Sequence, residues 1–176
     1  MQCDFFEFDG SLVRDLFSLL DSKITVLKSR IDPRCPEDFV GHDTLGHMHG
    51  VAAVSIQRFI NSTCQQFEVS QKEALDLGDK VGTTTKITVV HAAANFWKHY
   101  DGDYTKIHPA TRNVLSSVGI DFVAGGETNY LVGNIFYRCG YSFLMDMIPD
   151  LIAWHELVHL AANYTGSVQQ GNTTKS

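Results

Sequence analysis

The chain has 176 residues, of which 44% are hydrophobic and 19% are charged, and this composition suits one compact domain and excludes a disordered chain. Lys and Arg number 14 against 20 Asp and Glu, so the formal net charge is -6. An acidic balance excludes a surface that is basic overall, of the kind that holds nucleic-acid backbones, but not a local basic pocket. Eight histidines are the residues that most suggest chemistry.

The compartment is predicted to be cytoplasmic. The first nine residues have neither a basic segment nor a long apolar run, so they do not resemble a secretory signal. No later segment is apolar over the roughly 20 residues that span a bilayer, and we therefore expect no membrane association. The four cysteines are scattered without a Cys-x-x-Cys pair, which predicts buried thiols and neither a zinc ribbon nor a disulfide framework.

The sequence predicts three helices in the first half of the chain. Apolar residues at steps of three and four over 13–31 predict a helix that ends at Asp32-Pro33. The same spacing over 45–59 predicts a second helix. Ser70 with Glu73 has the Ser-x-x-Glu pattern in which each side chain satisfies a free backbone N–H, which predicts the start of a short third helix.

A fourth helix is predicted over 87–97, apolar on a broad arc and central to the fold. Residues 83–90 are rich in Thr and Val, and this content also suits a strand. Pro109 is typical of the first turn of a helix and Gly119 of the residue after its end, so 108–118 predict a fifth helix.

Two further helices are predicted in the last part of the chain. One is indicated by a long apolar stripe over 128–147, with Gly140 as a point where the helix could bend, and the other begins at Pro149. No segment alternates with period two. We therefore expect an all-α, single-domain helical bundle of about six to seven helices over residues 1–164, followed by a polar flexible tail over 165–176.

The segment from His155 to His159 has the His-Glu-x-x-His pattern. Two histidines four residues apart share a helix face and can bind zinc, with Glu156 as the base that activates water. No metal-binding residue type follows His159, so a third ligand such as His47 has to come from upstream. That order of ligands also resembles the DinB-like metal bundles. The alternative is an ordinary helix surface.

A polar stripe is predicted along the fourth helix. Thr84, Thr88, His91, Asn95 and His99 follow one another at steps of three and four, which places them on one face of a helix whose other faces are apolar. Histidine suits proton transfer near neutral pH.

Lys98 stands at the end of the same helix, where a cation can hold a phosphate. We therefore take His91, Asn95, Lys98 and His99 as the candidate catalytic or binding residues. The alternative is that His91 and Asn95 only join helices by hydrogen bonds. His42 and His49 are expected near the exposed start of the second helix.

Three segments carry a resemblance to a family. The sequence reads GDKVGTT over 78–84, AAANFWKHYD over 92–101 and LSSVGI over 115–120, and it resembles a group of small bacterial all-helical proteins with an Ala-Asn-aromatic-aromatic-Lys-His segment. In that group a Trp precedes a charged pair on the last helix, as Trp154 does here, which implies that His155 and His159 lie on a packing helix. The resemblance implies no particular activity.

The all-helical shape bears a weaker resemblance to HEPN-like modules, which act on RNA. Their Arg-x4–6-His motif is absent.

Three function hypotheses follow. The first is a helical module without a cofactor that acts on RNA or on a protein partner in a bacterial defence or mobile-element setting. The second is a hydrolase that depends on zinc or another divalent metal. The third is a purely structural interaction protein, and association of several copies is compatible with all three.

Overall fold

The computed structural model describes residues 10–30, 39–99, 103–120, 122 and 131–171. These residues form an all-α, single-domain helical bundle, as predicted. In chain order the elements are α1 (Ser11–Arg30), α2 (Phe39–Phe67), α3 (Gln71–Leu75), β1 (Lys80–Val81), β2 (Thr84–Thr85), α4 (Lys86–His99), α5 (Pro109–Ser117), α6 (Leu131–Arg138) and α7 (Ile148–Gly171), with 3₁₀ turns at Tyr104–Lys106 and Leu144–Met147.

Helix α2 is the centre of the bundle, in contact with α1, α4, α6 and α7. It lies very close to α4 at Gly50, because a Cβ atom there would be 2.1 Å from the Trp97 ring. Helix α7 is anchored by the buried Trp154, whose indole N–H donates to the carbonyl oxygen of Ala74 over 2.8 Å. None of the helices described is long and apolar enough to cross a membrane.

The helix ends that carry local signals are confirmed. The Ser70 hydroxyl accepts from the backbone N–H of Glu73 as predicted, while the Glu73 carboxylate accepts from the Ser70 hydroxyl over 2.6 Å and not from a backbone N–H. Helix α5 begins at Pro109 and is followed by Gly119 with a φ of 78°, a backbone conformation that favours glycine. Its N-terminal cap is the side chain of His108, which accepts from the N–H of Ala110.

The start of the fourth helix differs from the predicted stripe. Thr84–Thr85 form a two-residue strand that pairs antiparallel with Lys80–Val81, and α4 begins only at Lys86. Thr84 is therefore not part of the polar face of the helix. The Thr85 hydroxyl accepts from the backbone N–H of Thr88 over 3.2 Å, which caps the start of α4, and it donates to the carbonyl oxygen of Leu75 in α3.

The predicted long helix over 128–147 is also interrupted. Helix α6 ends at Arg138, Gly140 has a φ of 88°, and a separate 3₁₀ turn follows; residues 128–130 lie outside the described part of the chain. A left-handed glycine ends a helix because its neighbour's N–H turns back to satisfy the last carbonyl groups.

Helix α7 instead continues to Gly171, into the segment predicted as a tail from residue 165. Extending a formed helix costs little per residue. Residues 172–176 of that predicted tail lie outside the described residues.

Candidate binding pocket between α4 and α5

A cavity of about 680 Å³ lies between the polar face of α4 and the helix α5. Helix α4 forms one wall, and the turn before α5 together with α5 itself forms the other. The lining residues are Leu75, Thr88, His91, Ala92, Asn95, Phe96, His99, Lys106, Ile107, His108, Ala110, Thr111 and Val114. This volume is in the range of pockets that bind small molecules.

One end of the pocket is built from amide side chains around His91. The buried Gln57 on α2 donates from its Nε2 to Asn95 Oδ1 over 2.8 Å. The Nδ2 atom of Asn95 lies 3.4 Å from His91 Nδ1, and Gln71 Nε2 lies 3.3 Å from His91 Nε2. Gln71 in turn donates to Asn61 Oδ1 over 2.6 Å. These contacts fix His91 and Asn95 before any ligand arrives, and we call this part the amide end.

The surroundings of His91 favour an uncharged ring. Burial lowers its pKa, and the nearby positive charge of Lys98 lowers it further. Both ring nitrogens face amide nitrogens, which are donors, so a charged ring would place donor against donor on both sides and a neutral ring on one side only. Burial, the charge of Lys98 and these contacts all favour the uncharged ring over the charged one.

The other end of the pocket is basic. His99 lies at the C-terminus of α4, Lys106 lies in the 3₁₀ turn, and His108 caps α5. The Nδ1 atom of His108 accepts from the N–H of Ala110, so in the neutral ring the proton is on Nε2. The first turn of α5 adds the partial positive charge of a helix N-terminus. We call this part the basic end.

The two ends are separated along α4. His91 and His99 are eight residues apart, which corresponds to about 12 Å along a helix axis. Between them the wall is mostly apolar, with Ala92 and Phe96 on α4 and Val114 on α5. The pocket is therefore elongated along α4 and has different chemistry at its two ends.

Three of the four predicted site residues line this pocket: His91, Asn95 and His99. Lys98 does not line it and is exposed, because it lies one residue off the polar face of α4. It acts on the site only through its charge, which lowers the pKa of His91. Thr88, also on the predicted stripe, borders the pocket while its hydroxyl donates to the Leu75 carbonyl oxygen over 2.8 Å.

Lys106 and His108 are functional candidates that the sequence reasoning missed. Both belong to the wall opposite α4, and only the packing of α5 brings them to the site. A signal was present, since two of the three residues before the predicted first turn at Pro109 are basic, Lys106 and His108.

The histidines of the His-Glu-x-x-His segment lie elsewhere. The rings of His155 and His159 both contact Phe67, with centroids 5.2 Å and 5.1 Å away, and His155 also contacts Phe59. His47 instead packs edge-on against Trp97. His47 and Phe59 are twelve residues apart on α2, or about 18 Å along its axis.

Within the described part of the chain, no three His, Cys, Asp or Glu side chains are grouped so that they could hold a metal ion. The described residues therefore do not assemble the site predicted from His155, His159 and His47, with Glu156 as the base.

His49 is also placed differently from the prediction. It is buried, with its Nδ1–H donating to the Leu45 carbonyl oxygen over 2.8 Å and its ring edge-on to Phe136. Helix α2 begins at Phe39, several residues before the predicted start, and residue 49 is therefore well inside the helix. The side chain of His42 is outside the described residues.

No protein-family model matches the sequence, and neither a curated protein nor a solved structure is significantly similar to it.

Proposed function

We propose that the chain is a binding module whose α4–α5 pocket takes an elongated organic anion, with the negative group at the basic end. The observation that carries this proposal is the charge of the lining. Among the described residues, the pocket walls contain one lysine and three histidines and no Asp or Glu, although the chain has 20 acidic residues and the nearby Asp103 carboxylate lies 4.0 Å from the Lys106 ammonium. A concentration of positive and hydrogen-bond-donating groups in an acidic protein favours an anionic ligand.

The rest of the pocket narrows the kind of anion. The apolar middle at Ala92, Phe96 and Val114 suits a flat or aliphatic body, which gains from removal from water. The amide end offers donors and acceptors without charge, so it suits a neutral polar group. In a nucleotide the phosphate, the flat face of the base and the polar edge of the base follow in this order, with the ribose between phosphate and base, and the same holds for the terminal nucleotide of an RNA. The hypothesis of an RNA-acting module thereby becomes a specific proposal about this pocket.

The proposal is tested by titrating the full chain with adenosine monophosphate and, separately, with adenosine. We expect the phosphate to strengthen binding, and we expect Lys106→Ala to weaken binding of the monophosphate by about tenfold or more, the usual loss for a hydrogen bond to a charged group. Lys98→Ala is the matched control, since Lys98 is a nearby lysine that does not line the pocket, and we expect a change of less than about threefold.

Two results would contradict the proposal. One is equal weakening by Lys98→Ala and Lys106→Ala, which would place the binding group at the α4 helix end and not in the pocket. The other is the same affinity for adenosine and its monophosphate. A second variant, Val114→Trp, fills the apolar middle and should abolish binding while the thermal unfolding temperature stays near that of the parent chain.

A further inference from the structure

The outer face of α1 carries an apolar stripe. Leu12, Leu19 and Val26 are 55%, 56% and 45% exposed, and they follow one another at intervals of seven residues. The opposite face of α1, with Val13, Phe17 and Ile24, is buried against the bundle. Helix α1 therefore has a second apolar face, and a seven-residue repeat is the spacing by which helices pack along one another as in coiled coils.

A groove lies beside this stripe. It has a volume of about 310 Å³ and runs between α1 and α2, with Leu12 and Leu16 on one side and Ser55 and Arg58 on the other. Val51, one turn before Ser55 on the same face of α2, is 48% exposed. The stripe and the groove form one continuous apolar surface, which we call the α1 face.

We propose that the α1 face binds a second copy of this chain, with the two α1 helices antiparallel and a twofold axis at Leu19. This inference is independent of the α4–α5 pocket. With Leu19 opposite the partner's Leu19, Leu12 lies level with the partner's Val26. The apolar positions of the stripe are then all matched.

The charges on α1 select this arrangement. Asp15 is four residues before Leu19 and Lys23 is four residues after it, and both are exposed. In the antiparallel arrangement Asp15 lies level with the partner's Lys23, and symmetry repeats the pair. A parallel arrangement would instead put like charges at the same level, which is unfavourable.

The groove supports the same arrangement. It opens next to Leu12, and this is the level that the partner's Val26 reaches. Each copy therefore offers an exposed valine near one end of α1 and an apolar groove near the other end, the self-complementary pattern of a twofold interface.

The test is sedimentation equilibrium of the full chain over a range of concentrations. We expect a monomer–dimer equilibrium that Leu19→Glu weakens by at least about tenfold, because the substitution places two carboxylates together on the axis. Leu160→Glu, at a leucine of α7 that is 63% exposed, is the control and should leave the equilibrium unchanged. A chain that is monomeric at every concentration, or a dimer that Leu19→Glu leaves intact, would overturn the proposal.

A charge exchange gives a second measurement that does not depend on the apolar contact. Asp15→Lys alone should weaken the dimer several-fold, since it places two lysines level with each other. Addition of Lys23→Asp in the same chain should restore the association. Equal weakening in the single and double variants would show that the two residues do not face one another.

Discussion

Two polar clusters along α4 have opposite properties. At its N-terminus Lys86 donates to Asp150 Oδ2 over 2.8 Å, Tyr141 donates to the same oxygen over 2.7 Å, and the Lys86 ammonium lies 5.3 Å from the centre of the Tyr141 ring. Burial and the hydrogen bond to Asp150 raise the pKa of Tyr141. The cavity at Lys86 and Asp150 measures only about 70 Å³. We call this the closed cluster.

The cluster around His91 and Asn95 also consists of hydrogen-bonded polar side chains, but it opens onto a cavity of about 680 Å³. Its members are held from behind, by Gln57 and Gln71, and their remaining side faces the pocket. The comparison separates a polar cluster whose groups satisfy one another from one that keeps a side open to a cavity. The closed cluster is expected to stabilise the fold, and the open one to serve a ligand.

Among the substitutions that test this comparison, Asp150→Asn is expected to change the free energy of unfolding most. The substitution removes the negative charge that Lys86 and Tyr141 share while the side-chain volume is kept. We expect a loss of about 2 kcal/mol in the free energy of unfolding, below the cost for a fully buried pair because both side chains are partly exposed. Urea denaturation measures it, and binding at the pocket should not change.

Asp79→Asn is the matched control for this substitution. Asp79 is also near Lys86, but at 3.8 Å and 77% exposed, so its removal should cost less than about 0.5 kcal/mol. Similar losses for Asp79→Asn and Asp150→Asn would mean that the closed cluster stabilises through general charge and not through its short contacts.

A smaller effect is expected from Gln57→Leu, which removes the donor behind Asn95. Gln57 is buried, and the loss of its hydrogen bond should cost about 1 kcal/mol in the free energy of unfolding. The larger consequence should be for the pocket, where an unsupported Asn95 is expected to weaken adenosine monophosphate binding several-fold. A variant with unchanged affinity would show that the amide end is structural only.

The smallest effect is expected in the pH dependence of stability. Burial lowers the pKa of His91 in the folded chain below its ordinary value of 6.5, so the unfolded chain takes up the proton first as the pH falls. The contribution of His91 is complete above about pH 6.5 and is lost below it. In His91→Gln, urea denaturation at pH 7.5 and 5.5 should show a smaller difference than in the parent chain. An equal difference would indicate that His91 has the same pKa in both states.

The sequence predicts those parts of the fold that depend on neighbouring residues. The Ser70–Glu73 start of α3 and the Pro109-to-Gly119 limits of α5 follow from local hydrogen bonding and are found where the spacing predicts them. The strand at Thr84–Thr85 could not be predicted with the same security, because one of the contacts made there is to the carbonyl group of Leu75 in α3.

In the candidate site, too, one part follows from the local sequence and the other part does not. The face of α4 with His91, Asn95 and His99 follows from helical spacing, which is a property of one segment. The wall with Lys106 and His108 depends on how α5 packs against α4, and no pattern within either segment contains that information. The predicted metal ligands are not brought together for the same reason. The spacing along a helix shows which residues share a face, but it does not show which distant helix that face packs against.

His108 both caps α5 and lines the pocket, and this limits which residues can replace it. Asp, Asn and Ser are the usual residues at this position of a helix, and His108 performs the task with a ring nitrogen. An aspartate would begin the helix at least as well, but it would add a second carboxylate near Lys106, whose ammonium already lies 4.0 Å from Asp103, and the first among the described lining residues. The histidine thus lets one position start a helix without adding negative charge to the pocket wall, and stability alone would not select it.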